Sequence, residues 1–312
     1  MKIGVGAPVS GAWAGPQGLA HFSRLAEELG YDSLWTFQRL LVPADHPAEP
    51  VYRSVLDPLL ALTYAAAHTS RLRLGVALVN LPFVSPVYLA KQASTLDVLS
   101  GGRFDLGLGA GWSPVEFAAT GAPTHRRGPR TAEYIAVLRT LWADGVSSFD
   151  GEFYTVPPSR MDPKPVQRPG PPVLLGGSVP AALSRAGRLA DGWMSRSGTQ
   201  LSRIGEDIAL VRAAAEDAGR DPEALRIVCR GVVRPDPLGE GTAGPDGERL
   251  RLSGSFEQIR DDAAWLAAQG VTELFYDLNW DPLIGHPDVD PAAATAYAEG
   301  IIRALAPSAA AY

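Results

Sequence analysis

The chain is predicted to fold as an α/β protein of the (β/α)8 barrel class. Short β-branched runs alternate with longer helical ones from end to end, the pattern of parallel strands joined by crossover helices. Eight such strand-like runs can be placed, the number that closes a barrel. The length of 312 residues lies within the span that one barrel of this class occupies, so a single domain covering residues 1–312 is expected.

The strands are expected at 2–7, 33–37, 72–79, 104–109, 172–177, 192–196, 226–233 and 272–278. Between the first two, Leu19, Phe22, Leu25, Ala26 and Leu29 recur at helical spacing and stop at Gly30, which suits a left-handed cap. A later helix carries Leu89, Ala93, Leu96 and Leu99 before Gly101-Gly102, and the next carries Tyr134, Val137, Leu138 and Leu141. Helices at 181–190, 202–218, 255–269 and 291–306 complete the outer ring. Two stretches interrupt the rhythm and are expected as loop excursions within the one domain. Residues 146–172 alternate Phe149, Phe153 and Val156 before a proline-rich run, and residues 235–247 hold four Gly and three Pro. Both are placed to cover the mouth of a site.

Composition narrows the partner. A hydrophobic fraction of 46% with 20% charged residues describes a globular chain with a large core. A net charge of -6 argues against a nucleic-acid backbone as ligand, which would call for an excess of clustered Lys and Arg, and favours a small-molecule substrate. No apolar run approaches the length of a membrane span and no leader pattern opens the chain, so a cytoplasmic location is expected. Cys229 is the one cysteine and sits in a strand-like run, which reads as a buried structural thiol.

In barrels of this class the chemistry sits after the carboxyl ends of the strands. Those positions are poor in catalysts, and no residue is singled out as catalytic. Lysine occurs only at Lys2, Lys91 and Lys164, none at a strand end, which disfavours Schiff-base chemistry. His21, His46, His68, His125 and His286 show no paired metal-ligand spacing, so no metal is expected. The strand ends do carry glycine. Gly107, Gly109 and Gly111 give an incomplete dinucleotide fingerprint, and glycine there also relieves crowding at the rim. Gly176-Gly177-Ser178-Val179-Pro180 is the stronger signal: free amides at a helix N-terminus make an anion seat, with Ser178 either capping the helix or donating its hydroxyl to the anion. The plain alternative is a helix cap without a ligand. A phosphate seat beside aromatic residues such as Trp13, Phe37, Trp112, Tyr276 and Trp280, with few ionisable groups, points to a cofactor that supplies the reactivity.

Several segments resemble the luciferase-like monooxygenases and the related F420-dependent oxidoreductases. They are 26–35, 74–78, 90–97, 100–104, 107–112, 176–178 and 190–193. The similarity covers nearly the whole chain, and is specific through residue 195 and looser after it. It implies a non-prolyl cis peptide in a bulge after the third strand, matched by Ala77-Leu78, which backs an isoalloxazine or deazaflavin ring. It also implies a cofactor phosphate on the amides of Gly176, Gly177 and Ser178, helped by Ala110 and Gly111. Phe37, Asn80, Gly109 and Val179 are counted with these cofactor contacts, and Trp13, Gln38, Arg39, Trp112 and Tyr276 with the substrate pocket. The sugar-phosphate dehydrogenase branch has an Asp-His pair after strand two and a Glu after strand four. Gln38-Arg39 and Trp112 stand here, so that branch's proton relay and substrate are not expected. Arg39 could bind an anionic substrate or the acidic tail of F420, or stand in an ion pair, and Arg196, Arg230 and Arg234 share that choice.

The expected activity is hydride transfer between coenzyme F420 and a small organic substrate. The alternative is an FMN-dependent monooxygenase fed by a separate reductase, whose site must exclude water. A flavin-binding barrel without turnover is the third reading. The resemblance also implies a homodimer.

Overall fold

The computed structural model describes residues 1–45, 49–236, 238–244 and 247–307. His46 and residues 237, 245 and 246 of the second expected excursion lie outside these. The elements run β1 (Lys2–Gly6), α1 (Pro16–Glu28), β2 (Ser33–Thr36), α2 (Pro58–Ala66), β3 (Arg73–Asn80), α3 (Pro86–Leu99), β4 (Phe104–Gly109), α4 (Pro114–Thr120) and α5 (Arg127–Trp142). Then come β5 (Ser147–Asp150), β6 (Thr155–Ser159), β7 (Val173–Gly176), α6 (Pro180–Leu189), β8 (Gly192–Met194), α7 (Ile204–Asp217) and β9 (Arg226–Val232). The chain ends with β10 (Arg234–Pro235), β11 (Ser253–Gly254), α8 (Phe256–Ala268), β12 (Glu273–Asp277) and α9 (Pro291–Ala304).

Eight parallel strands close in the order β1-β12-β9-β8-β7-β4-β3-β2, as the alternating pattern predicts. Strand geometry sorts the core into two parts, because successive side chains point to opposite faces. Trp35, Ala77, Leu174, Met194, Val228 and Phe275 fill the barrel, with Trp35 stacked on Phe275 at 5.3 Å. The alternate residues, Leu34, Leu274 and Tyr276 among them, join the larger core under the helices. Cys229 is fully buried there, and burial pushes its thiol up to about 12, which keeps it protonated.

The amino-terminal end of the barrel is closed by charge. Asp105 is fully buried and accepts from Arg73 Nε at 3.0 Å and Arg226 Nη1 at 2.7 Å. Arg226 also reaches Glu273 at 2.8 Å, and Glu273 accepts from Ser33 Oγ and Trp35 Nε1. Each charge in this layer has an opposite partner and further hydrogen bonds, the condition under which buried ions persist.

The first expected loop excursion contains regular structure. Residues 146–172 include an antiparallel hairpin of β5 and β6, which explains the alternation of Phe149 and Val156. The hairpin turn is tied to α5, where Glu133 accepts from the amides of Phe153 and Tyr154. The second stretch begins at the end of β10, which pairs in parallel with β11 beyond it, and Asp262 of α8 holds the segment between the stretch and β11 through Arg249 and Arg251. The sequence pattern also passed over α4, a seven-residue helix after β4, too short to show a period.

Candidate functional site

A cavity of about 860 Å³ opens at the carboxyl ends of the strands, at the large end of the range for small-molecule sites. Its floor is the bulge in β3. Pairing of β3 with β4 slips between Val76 and Val79, and the Ala77-Leu78 peptide between them is cis, at the position the resemblance indicated. The slip turns Leu78 toward β4 and β7. A Cβ on Gly109 or on Gly176 would collide with the methyl groups of Leu78, so glycine at both strand ends makes room for that side chain. These two glycines serve the bulge first and any anion second.

On one side of the bulge lies the segment expected to form the anion seat. Gly177 has φ of 149°, a conformation that favours glycine, and leads the chain into α6. Ser178 does not cap this helix. The N-cap is Val179, whose side chain cannot accept a hydrogen bond, and Ser178 stands exposed at the rim. The amides of Ser178, Val179 and Ala181 therefore have no acceptor among the described residues and mark the positive end of the helix dipole. Arg127, Arg185 and Arg196 line the same end, and none has a carboxylate within ion-pair distance among the described residues. Burial, and then the neighbouring charge of Arg188, lower the pKa of Arg185, as expected where like charges wait for a counter-ion.

The other side is aromatic, and its charges are matched. Phe37, Tyr52 and Trp112 form the wall, with the Tyr52 ring 6.4 Å from each of the other two. The Arg39 guanidinium lies against Tyr52 at 4.3 Å and Trp112 at 4.5 Å. It is paired with Glu116 of α4 at 3.0 Å, their side chains 6% and 1% exposed. Glu116 Oε1 also accepts from the amides of Leu40 and Leu41, so one carboxylate fastens the segment after β2 to the helix after β4. Arg230 is bound in the same way: it meets Asp277 at 2.6 Å, donates to the Ala77 carbonyl at 3.3 Å and lies over Phe37. Gln38 Oε1 accepts from the Asn80 backbone and side chain, which fixes the amide and leaves its Nε2 without a partner among the described residues.

The cavity thus gathers Phe37, Gln38, Arg39, Ala77, Leu78, Asn80, Gly109, Ala110, Gly111 and Trp112 with Gly176, Gly177, Ser178 and Val179. It does not gather Trp13 or Tyr276, which were expected in the substrate pocket. Trp13 is buried at 2% exposure, edge-on to Phe22, with its indole N–H donated to Asn279. Tyr276 sits on the outer face of β12 because its neighbours Phe275 and Asp277 take the inner one. Nor do the described residues of 146–172 or 235–247 line the cavity. Its walls include instead Tyr52, Arg127, Thr131, Arg185 and Ser195, which are not among the site residues expected from the sequence. Ala181, Ala182 and Arg185 follow helical spacing from the anion seat and could have been read from it. Tyr52 and Arg127 have no such signal.

Among the described residues none that lines the cavity is Asp, Glu, His, Cys or Lys. A barrel with an anion seat, a ring-sized floor and an aromatic wall, whose lining offers no acid or base, is a framework for a bound redox cofactor. The comparisons agree with that class: the chain belongs to the luciferase-like monooxygenase family, whose model matches residues 2–237. An uncharacterized protein of Mycobacterium tuberculosis is 33% identical over 299 residues, covering 91% of this chain and 92% of that one. An FMNH2-dependent dimethylsulfone monooxygenase of Pseudomonas putida is 28% identical over 265 residues, covering 76% of this chain and 71% of its own. Among solved structures, an F420-dependent secondary alcohol dehydrogenase superposes with a TM-score of 0.76 at 18% identity, covering 97% of this chain and 98% of its own. No helix among the described residues is long and apolar enough to cross a membrane.

Proposed function

We propose that the protein is a cytoplasmic oxidoreductase that binds coenzyme F420 and passes hydride between it and a small organic substrate. The observation that carries the reading is the uncompensated charge at the anion seat. Arg127, Arg185 and Arg196 together with the α6 amides exceed what one phosphate needs. F420 continues past its phosphate into carboxylates, whereas FMN ends there, and that difference favours the deazaflavin. The residues fit the group: the amides of Ser178 and Val179 would hold the phosphate, the three guanidiniums the rest of the anionic chain, and the Ala77-Leu78 bulge would back the ring.

Bound there, the cofactor supplies the hydride or takes it up. The protein's own residues hold and orient. Arg230 steadies the bulge through the Ala77 carbonyl, Gln38 ties the end of β2 to Asn80, and Tyr52, Trp112 and Phe37 line the wall facing the substrate.

The second reading, an FMN-dependent monooxygenase served by a separate flavin reductase, is favoured by the relative from Pseudomonas putida. A fluorescence titration of the purified protein with F420 and with FMN tests both. F420 binding at micromolar concentration is expected. FMN binding without F420 binding would replace the first reading by the second, and binding of neither would remove the cofactor reading. We also propose a homodimer through α2 and α3, where Leu60, Tyr64 and Tyr88 stand exposed. A monomeric mass by light scattering would refute it.

A further inference from the structure

We infer that the substrate is an uncharged, flat molecule carrying a hydrogen-bond acceptor such as a carbonyl or amide oxygen, and that the site excludes carboxylates and other anions from the substrate position. This rests on the proposed division of the cavity into a cofactor end and a substrate end. The two ends hold similar numbers of guanidiniums and differ in what accompanies them. At the substrate end Arg39 is matched by Glu116 and Arg230 by Asp277, so the four charges sum to zero. Both guanidiniums are nearly closed off from solvent, with side chains 6% and 10% exposed, and the carboxylates are 1% exposed. An anion entering here would lose its hydration and meet two cations whose charge is already matched, with two carboxylates just behind them. An unpaired buried charge is the arrangement proteins tolerate least.

What the substrate end does offer is surface for a ring and a donor. Tyr52, Trp112 and Phe37 present aromatic wall, and Arg39, lying against two of the rings, extends it with a planar face. The Nε2 group of Gln38 is an N–H donor with its partner oxygen fixed by the Asn80 amide, so it points away from that bond and remains to be satisfied. A site whose donor is left over selects a ligand that accepts.

Glu116 is the positioning residue of this selectivity. It sets the charge of Arg39 to zero in effect, and through the Leu40 and Leu41 amides it fixes the segment on which Gln38 and Arg39 stand. Glu116→Gln keeps an oxygen for those amides and removes the counter-charge.

The test compares 2-naphthamide with 2-naphthoate, two probes of one shape and different charge, by quenching of tryptophan fluorescence. It is run with F420 or FMN saturating the cofactor end, or, if neither binds, with inorganic phosphate there. The wild-type protein is expected to bind the amide at least about ten-fold more tightly. Glu116→Gln is expected to gain about ten-fold in naphthoate affinity while the amide changes by less than about three-fold. Equal or tighter binding of naphthoate by the wild-type protein, or no binding of either probe, overturns the inference, and the wild-type comparison stands even if the variant does not fold. Failure of both cofactors with the amide preference intact would remove the proposed function and leave this inference standing.

Discussion

The two ends of the barrel handle buried charge in opposite ways. At the amino-terminal end Arg73, Arg226, Asp105 and Glu273 form a closed layer in which each charge meets its opposite, braced by Ser33 and Trp35. At the carboxyl end only half of the cavity is treated so. The pairs Arg39–Glu116 and Arg230–Asp277 are closed, while Arg127, Arg185 and Arg196 line the cavity with no carboxylate within ion-pair distance among the described residues, Arg127 donating to the Gly111 carbonyl. Closed networks hold a fold together, and open ones hold a ligand. The same residue type is therefore closed in pairs at one end and, in the proposed function, serves binding at the other, in keeping with the division of labour in barrels of this class.

The sharpest way to break that comparison is to open the closed end. Asp105→Asn removes the carboxylate that two guanidiniums share and leaves both under-compensated in a buried layer. A loss of about 3–5 kcal/mol is expected, read by urea unfolding; a change under about 1 kcal/mol would mean the layer is ornamental. The same residue predicts the acid limb. Burial raises its pKa, but Arg226 and Arg73 overcome that and hold the carboxyl below the usual range. A carboxyl depressed in the folded state contributes stability that is present above about pH 4, its unfolded value, and is lost as the pH falls through the folded one. Stability measured from pH 6 downward should fall below about pH 4, and in Asp105→Asn that fall should be shallower.

The open end should respond in the reverse sense. Arg185→Ala removes a half-buried cation with no carboxylate partner among the described residues and a like charge beside it. Unfolding free energy is expected to stay within about 0.5 kcal/mol or rise. Cofactor affinity should drop by about ten- to a hundred-fold, the value of one charge-assisted hydrogen bond. A destabilised variant that binds the cofactor normally would reverse the assignment. The ranking of the two variants is the point: Asp105 moves the melt and Arg185 moves the binding curve.

Legibility in the sequence followed the same line. The eight strands and the anion seat rest on local signals, periodicity and Gly176-Gly177 before Pro180, and these the chain shows directly. The Ala77-Leu78 bulge was legible only through resemblance, since nothing local distinguishes those residues from the rest of β3. Glu116 was not legible at all. It lies on a seven-residue helix and becomes a site residue because tertiary packing brings it to Arg39, 77 positions earlier. Trp13 and Tyr276 failed for a related reason: being aromatic near a strand end does not say which way the side chain points, and strand parity turns Tyr276 outward.

The smallest expected effect sharpens the comparison at two helix N-termini. Ser255 opens α8 with a reciprocal cap, its Oγ accepting from the Gln258 amide at 3.2 Å while Gln258 Oε1 accepts from the Ser255 amide at 2.8 Å. Ser178 stands two residues before α6 and caps nothing. Ser255→Ala should therefore cost about 1 kcal/mol of stability, because an amide in the first turn loses its acceptor. Ser178→Ala should change stability by less than about 0.5 kcal/mol, since its hydroxyl has no partner among the described residues to lose in the free protein. Its effect belongs to the bound state, where a hydroxyl beside the anion seat adds one neutral donor and the variant should weaken cofactor binding by about three- to ten-fold. Equal stability losses in the two variants would show that α6 is capped after all, and that its amides are not held open for a ligand.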